Sequence, residues 1–222
     1  MKNKELKFMR ENHESVKRNY LGRMVNSKVQ CMIEAKKYGV NYWDGPRKYG
    51  YGGYKYIPNR WTKVAKKIIK EFKLDNYSKI LDVGCGKAFL LYEIRKILPD
   101  IKISGFDISK HAIKNAPKEI RKNLFIHKAQ NKYPYKKKEF DLAISTGCFH
   151  NLEINELKFS LQEIQRVSKK TYVMVESYRN ETELFNLQCW ALTCESFFSR
   201  KEWQWIFKEF KYNQCYELIY FS

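Results

Sequence analysis

The sequence predicts an α/β fold with a mostly parallel sheet and helices on both faces. Apolar stretches typical of buried strands alternate with amphipathic stretches over residues 79–176, and such alternation specifies a parallel sheet. The first strand, 79–83, ends in Gly84-Cys85-Gly86 directly before a helix. Asp107 ends the second strand, about 20 residues beyond the glycines, where a nucleotide-binding β-α-β unit places a ribose-binding acid. These observations predict a Rossmann-like domain.

The N-terminal region, residues 1 to about 37, is predicted to be helical because apolar residues recur near one face at a spacing of 3.6. Gly22 is predicted to separate two helices. The region would form a cap that packs on the main domain, and a lid over a ligand is the alternative. The apolar positions are Leu6, Met9, Val16, Met24, Val25, Val29, Met32 and Ile33.

A segment rich in aromatic residues, 42–61, follows the cap and is predicted to be a loop because of its glycines and prolines. So many rings would expose much apolar surface unless the loop covers something. The substrate-binding prediction therefore includes Tyr49, Tyr51, Tyr54 and Arg60, whose rings and donors suit a polar ligand. The alternative is that the rings only pin the loop to the sheet edge. The predicted division is a cap with the covering loop over 1–60 and the main domain over 61–222.

The remaining elements follow from periodicity and from breakers such as Pro99, which ends a helix. They are helix 64–72, strand 79–83, helix 88–98, strand 102–106, helix 109–116, strands 124–127 and 140–145, helix 154–167, strand 171–176, helices 182–195 and 200–209, and a strand near 215–221.

Composition restricts the function further. The 222 residues suffice for one domain with an appendage and a full core. The six cysteines form no CxxC pair, which predicts reduced thiols in a cytoplasmic protein. The sequence shows no secretory signal, no membrane span and no metal-ligand spacing. The net charge of +19 leaves nucleic-acid binding open but is not the favoured interpretation, because the lysines are scattered.

The glycine turn excludes two common nucleotide sites. A dinucleotide site would have a third glycine at position 89, which is Phe89, and Gly86-Lys87-Ala88 lacks the hydroxyl of a P-loop. Asp82 would repel a pyrophosphate but attract a cation. A ligand with a ribose and a positively charged amino acid end fits better.

The sequence resembles the class I S-adenosylmethionine-dependent methyltransferases over roughly residues 60–180. The resemblance is carried by three stretches in order, 81–86, 105–109 and 140–145. It implies S-adenosylmethionine as cofactor and S-adenosylhomocysteine as product. In that family the glycine turn lies against the methionine part, the acid matching Asp107 holds the ribose, and the acid matching Asp82 supports the site near the amino group. The predicted cofactor-binding residues are Asp82, Gly84, Cys85, Gly86, Asp107, Ile108, Gln130 and Ser145.

The sequence departs from the family pattern in three ways. The third glycine of the turn is Ala88, and Gln130 lies where many members carry an acid that contacts the adenine amine. Only one strand fits after Phe210, whereas the family fold closes with an antiparallel hairpin. We therefore expect a trimmed sheet edge.

The acceptor is predicted from the strand ends that should face the cofactor. His150 follows the strand 140–145, has a pKa suited to base catalysis and is predicted to be the catalytic base. Glu176, Tyr178 and Arg179 are predicted to bind the substrate. Two alternatives stay open: a packing role for His150, and an ion pair from Glu176 to Arg179 or Arg60.

The aromatic loop and the stretches 176–180 and 186–190 resemble a small subfamily often met in surface-polysaccharide (capsule) biosynthesis. That resemblance implies a small-molecule acceptor, most simply a hydroxyl of a sugar, nucleotide-sugar or phosphorylated precursor. An RNA methyltransferase and a non-catalytic module of the same fold are the alternatives.

Overall fold

The computed structural model describes residues 4–14 and 16–222, and within them the predicted sheet is confirmed. Six strands pair in the order β3-β2-β1-β4-β5-β6, and every pairing is parallel. The strands are Lys79–Val83 (β1), Lys102–Asp107 (β2), Leu124–Ile126 (β3), Phe140–Thr146 (β4), Ser168–Glu176 (β5) and Cys215–Ile219 (β6). The order reverses between β1 and β4, which is where ligands bind in open α/β sheets.

Helices cover both faces of the sheet. They are Arg10–Glu14 (α1), Tyr20–Val25 (α2), Lys28–Ala35 (α3), Val40–Trp43 (α4), Thr62–Phe72 (α5), Phe89–Ile97 (α6), Lys110–Lys114 (α7), Ile154–Val167 (α8), Glu181–Trp190 (α9) and Arg200–Glu209 (α10). Successive strand residues point to opposite faces. Ile80 therefore packs in the cluster that contains Ile68 and Ile94, whereas Leu81 packs in the cluster that contains Leu157 and Trp203.

The closing strand β6 pairs in parallel with β5, from Tyr172 opposite Cys215 to Glu176 opposite Ile219. The crossover from β5 to β6 consists of α9 and α10. A parallel neighbour needs such a crossover, whereas a hairpin would need only a turn. The single closing strand confirms the trimmed edge expected from the sequence.

The helical prediction for the first residues is wrong for residues 4–9, and residues 1–3 and 15 lie outside the described residues. The segment runs beside β6, where the Leu6 N–H donates to the Tyr216 carbonyl at 2.7 Å and the Tyr216 N–H donates to the Lys4 carbonyl at 3.0 Å. The segment thus covers part of the sheet edge at β6, whose unpaired backbone groups favour another extended chain.

The rest of the cap consists of four short helices, α1–α4. Gly22 lies inside α2, so the predicted break at Gly22 is wrong, and the chain turns instead at Ser27, whose φ is +48°. The predicted apolar face does not pack as a unit, because Val25 and Val29 are 79% and 66% exposed. Only Cys31 and Ala35 of α3 are buried.

A buried carboxylate joins the cap to the sheet. Glu217 of β6 is fully buried and accepts the N–H groups of Phe8, Met9 and Arg10 at 2.8, 3.0 and 2.9 Å. It also accepts the hydroxyl of Tyr172 at 2.5 Å. Hydrogen bonds to a charged acceptor are stronger than neutral ones, and a buried acceptor without them is costly. Glu217 therefore fixes where the chain turns from the sheet edge into α1.

Glu217→Gln should lower the free energy of unfolding by about 2–3 kcal/mol, because an amide would face these donors with its own NH₂ group. Chemical denaturation measures the change. The exposed Glu119→Gln serves as the matched control and should stay within about 0.5 kcal/mol of wild type. Equal stabilities of the two variants would contradict a structural role for Glu217.

Candidate active site

A cavity of about 430 Å³ lies between the cap and the carboxyl ends of β1, β4 and β5. Its wall combines the turn after β1, the loop after β4, the end of β5, the cap and the segment after α9. The residues with polar or titratable side chains on this wall include His13, Arg18, Arg23, Tyr42, Arg47, Tyr51, Tyr54, Lys55, Arg60, Asp82, Cys85, Thr146, His150, Asn151, Glu176, Thr193 and Cys194.

The glycine turn forms one wall of the cavity through backbone that only glycine adopts easily. Gly84 and Gly86 have φ values of +74° and +56°, and a Cβ on Gly84 would lie 2.5 Å from the Cys148 sulfur. The N–H groups of Gly84 and Cys85 both donate to the Phe106 carbonyl, at 2.9 and 3.0 Å. The turn is thus held against β2 and leaves room for a ligand at its open side.

Asp82 carries an orphaned polar atom at this wall. The residue is 2% exposed, and its Oδ1 has no hydrogen-bond partner in the described part of the chain. Burial, and secondarily the charge of Asp107, raises the pKa of Asp82 to about 8. A buried carboxyl without a partner is costly unless a ligand supplies one. A cationic amino group would do so, and Asp82 therefore fits the S-adenosylmethionine expected from the sequence.

Asp107 is engaged by the protein backbone. Its carboxylate accepts the N–H groups of Gly86 and Ser109, each at 2.8 Å. Burial raises its pKa, and these backbone hydrogen bonds oppose the shift. The Trp43 indole N–H donates to the Ser109 hydroxyl at 2.8 Å, so that α4 of the cap lies over this end of β2.

The other predicted cofactor residues lie away from the cavity wall. Ile108 is 43% exposed. The Gln130 amide donates to Glu156 at 3.1 Å, and the buried Ser145 hydroxyl donates to the Val83 carbonyl at 3.0 Å. The structure therefore brings Asp82, Gly84, Cys85 and Gly86 together at the cavity, whereas Asp107, Ile108, Gln130 and Ser145 do not line it. The cofactor role of all eight residues stays a prediction.

Aromatic rings of α4 and of the covering loop line the cavity beside the glycine turn. Trp43 stacks on Tyr51 with 5.1 Å between ring centroids, Tyr51 contacts Tyr54 at 4.6 Å, and Tyr54 stacks on Phe89 at 5.0 Å. Burial raises the pKa of Tyr51 and Tyr54, so both phenols stay neutral. Tyr49 packs against the cluster of Cys31 and Ala35 and does not line the cavity.

His150 and Glu176 meet at the cavity floor. The backbone N–H of Glu176 donates to His150 Nδ1 at 3.2 Å, and His150 Nε2 lies 3.6 Å from Glu176 Oε2. An amide N–H cannot accept, so Nδ1 is the unprotonated nitrogen and Nε2 carries the hydrogen. Burial lowers the pKa of His150, and the Glu176 carboxylate opposes this shift. The neutral ring thus presents Nε2–H towards the Glu176 carboxylate.

Two predicted substrate residues lie outside the cavity wall. Arg179 forms an ion pair with Glu183 and lies 4.3 Å over the Tyr220 ring. This pairing corrects the alternative in which Arg179 pairs with Glu176. The Tyr178 hydroxyl approaches Glu202 at 3.5 Å. Arg60 lines the cavity as predicted, and in the described residues no ion pair joins it to Glu176.

Sequence reasoning missed three arginines of the cap, Arg18, Arg23 and Arg47, which line the same cavity around Trp190. The described residues contain no group of three or more His, Cys, Asp or Glu side chains placed to hold a metal ion. Among the helices of the described chain, none combines the length and apolar character that crossing a membrane requires.

Comparisons with known proteins agree with this geometry. The family described as "Methyltransferase domain" matches residues 74–211, more than half of the chain. The mouse mitochondrial arginine-hydroxylase NDUFAF5 is 29% identical over 109 residues, 49% of this chain and 31% of that protein. The demethylmenaquinone methyltransferase of Chlorobaculum tepidum is 31% identical over 114 residues, 51% of this chain and 46% of that protein. The matches thus span a third to a half of these relatives.

Solved structures support the fold. A putative methyltransferase from an antibiotic biosynthesis pathway of Anabaena variabilis superposes with a TM-score of 0.55 and 19% identity, over 68% of this chain and 62% of that chain. A putative methyltransferase from a Haloferax volcanii complex with the activator Trm112 superposes with a TM-score of 0.52 and 16% identity. The superposition covers 70% of this chain and 77% of that chain. The chain therefore belongs to the family of S-adenosylmethionine-dependent methyltransferase domains.

Proposed function

We propose that the protein transfers a methyl group from S-adenosylmethionine to a hydroxyl oxygen of a small polar acceptor. A sugar, nucleotide-sugar or phosphorylated precursor in surface-glycan synthesis is the acceptor class favoured by the sequence. The single observation that carries the proposal is the pairing of Glu176 with His150 on the wall of the cavity that also contains the glycine turn.

The cofactor would be held by the glycine turn and by Asp82, whose unpartnered oxygen suits its ammonium group. When bound, S-adenosylmethionine supplies an electrophilic methyl group on a sulfonium. The rings of Trp43, Tyr51 and Tyr54 border the cavity near this turn, and aromatic faces stabilise a neighbouring cation.

Glu176 is the better proton acceptor of the two groups at the cavity floor. His150 Nδ1 already accepts a backbone hydrogen bond and Nε2 carries a hydrogen, so the ring has no lone pair free for the acceptor. In our proposal Glu176 would take the proton of the acceptor hydroxyl as that oxygen receives the methyl group that bound S-adenosylmethionine would supply, with S-adenosylhomocysteine as the leaving group. His150 orients the carboxylate through Nε2–H. His150 thus becomes a positioning residue, in place of the catalytic base predicted from the sequence.

RNA is the second candidate acceptor. The net charge of +19 favours it, and the ribosomal RNA small subunit methyltransferase C of Buchnera aphidicola is 35% identical over 98 residues, 43% of this chain and 28% of that protein. Transfer of labelled methyl groups to RNA but not to nucleotide-activated sugars or phosphorylated metabolites, with an affinity that falls steeply with salt, would favour RNA. Failure to bind S-adenosylmethionine in a calorimetric titration would favour a non-catalytic module instead.

Glu176→Gln should lower kcat by about 10²–10⁴-fold, because the amide cannot take the proton, while affinity for the cofactor changes little. His150→Ala should lower kcat less, since it removes only the group that orients Glu176. Transfer of a labelled methyl group measures kcat, and cofactor titration measures affinity. The exposed Glu209→Gln is the matched control. Near-normal turnover of Glu176→Gln, with loss of turnover in His150→Ala, would return the role of base to His150.

Binding of the cofactor should release a proton from Asp82. The pKa of Asp82 is raised to about 8, so its carboxyl is mostly protonated at neutral pH. A bound ammonium group favours the ionised form, so affinity should rise between about pH 6 and pH 7.5, by at most about tenfold per pH unit. Calorimetry in buffers of different ionisation enthalpy counts the protons. Asp82→Asn should bind more weakly and release none. An equal proton release by Asp82→Asn would assign the proton to another group.

A further inference from the structure

Three arginines of the cap surround one indole ring. The guanidinium carbons of Arg18, Arg23 and Arg47 lie 5.5, 4.4 and 5.0 Å from the centroid of Trp190 at the end of α9. We call these three residues the arginine cluster. All three line the cavity that also contains Glu176 and His150.

No Asp or Glu carboxylate in the described residues lies within ion-pair distance of the arginine cluster, and the acidic group that acts on Arg23 from further away is Glu176. Arg18 donates to the carbonyls of His13 and Val16, and to the His13 ring at 3.2 Å. Arg23 donates to the carbonyl of Arg47 at 3.0 Å. The Nε atoms of Arg18 and Arg23 are buried and lack a hydrogen-bond partner within the described chain.

Arg47 completes the cluster by donating to the carbonyls of Gly50 and Tyr51, at 2.7 and 2.9 Å. None of the ion pairs among the described residues includes Arg18, Arg23 or Arg47.

Positive charge is therefore concentrated at a wall where Arg18 and Arg23 are half-buried and Arg47 is exposed. Burial, and then the charge of Arg47, lowers the pKa of Arg23 to about 10. Burial also lowers the pKa of Arg47, and Arg18 adds to that shift. Like charges brought together in this way repel one another, and the aromatic face of Trp190 offsets only part of that repulsion. A bound anion would remove the repulsion and supply the missing acceptors.

We infer that the arginine cluster binds a phosphoryl group carried by the methyl acceptor. A phosphoryl dianion offers several acceptor oxygens to more than one guanidinium fork, as these three residues require. Since Glu176 lines the same cavity, an acceptor anchored at the cluster could present a hydroxyl to it. The inference rests on the proposed function and narrows its acceptor class to phosphate monoesters and diphosphates.

Binding without turnover tests the inference separately from the proposed reaction. Thermal unfolding and calorimetric titration of the full chain would use glucose, glucose 1-phosphate and UDP-glucose as probes, each with and without S-adenosylhomocysteine. We expect a phosphorylated probe to bind and raise the melting temperature, and glucose to have no effect. Comparing the affinities for glucose 1-phosphate and UDP-glucose shows whether the cluster prefers a phosphate monoester or a diphosphate.

Arg23→Gln and Arg47→Gln should each weaken binding of the phosphorylated probe about tenfold or more. Arg23→Lys keeps the charge and should lose less. Arg200→Gln, which removes one partner of an exposed ion pair with Glu5, is the matched control and should bind as wild type does. Circular dichroism shows whether each variant is folded. If Arg23→Gln does not fold, the binding measured for Arg47→Gln decides the test.

Three results would overturn the inference. They are the absence of binding by either phosphorylated probe, equal binding by all arginine variants, and a selective loss of S-adenosylmethionine affinity in Arg23→Gln and Arg47→Gln. The last would assign the cluster to the carboxylate of the cofactor. Failure of methyl transfer with intact, arginine-dependent phosphate binding would instead count against the proposed function alone.

Discussion

The buried carboxylate of Glu217 determines where the cap lies. Three consecutive backbone N–H groups, those of Phe8, Met9 and Arg10, converge on it from a segment more than 200 residues away in the sequence. The hydrogen bonds of Leu6 and Tyr216 hold the preceding residues along β6. The cap that follows supplies His13 and the arginine cluster to the cavity. The shape of the cavity therefore depends on a contact made at the edge of the sheet.

The cavity wall carries acidic and basic side chains that come from different elements. Asp82 and Glu176 lie at strand ends, on rigid elements whose positions are fixed by the parallel sheet. The arginine cluster comes from the cap and from the covering segment, and Trp190 holds its members side by side. In the proposed function these carboxylates would face a cationic group and the arginine cluster an anionic one, and the neutral rings of Tyr51 and Tyr54 line the same cavity.

The sequence predicted the fold and the glycine turn well because both depend on local signals. A strand that ends in Gly84 and Gly86 needs positive φ at both positions, and both have it. Alternation of elements predicted the parallel sheet, and the room for only one strand after Phe210 predicted the missing hairpin. The helix predicted for the first residues was wrong because pairing with the open edge at β6 outweighs the weak helical preference of so short a segment. That sheet edge exists only in the folded chain, so the local sequence pattern does not indicate it.

The site was predictable only in part, for the same physical reason. Asp82 and His150 are adjacent to recognisable strand ends. The arginine cluster joins three separate positions of the cap to a tryptophan more than 140 residues away, and nothing in the local pattern of Arg23 or Arg47 indicates that proximity. The tautomer of His150 depends on a backbone N–H of β5, so its unsuitability as the proton acceptor could not be read from residue type.

Trp43 links the two ligand regions of the molecule. Its ring fills the space where a Cβ of Gly86 would point, with 2.7 Å between them, and it stacks on Tyr51 at the acceptor side. Its N–H donates to the Ser109 hydroxyl, so that the glycine turn and the aromatic rings of the cavity share one side chain. In the proposed function the exchange of either ligand would perturb this indole, so its fluorescence, in a variant without the other four tryptophans, would report the order in which the two ligands arrive and leave.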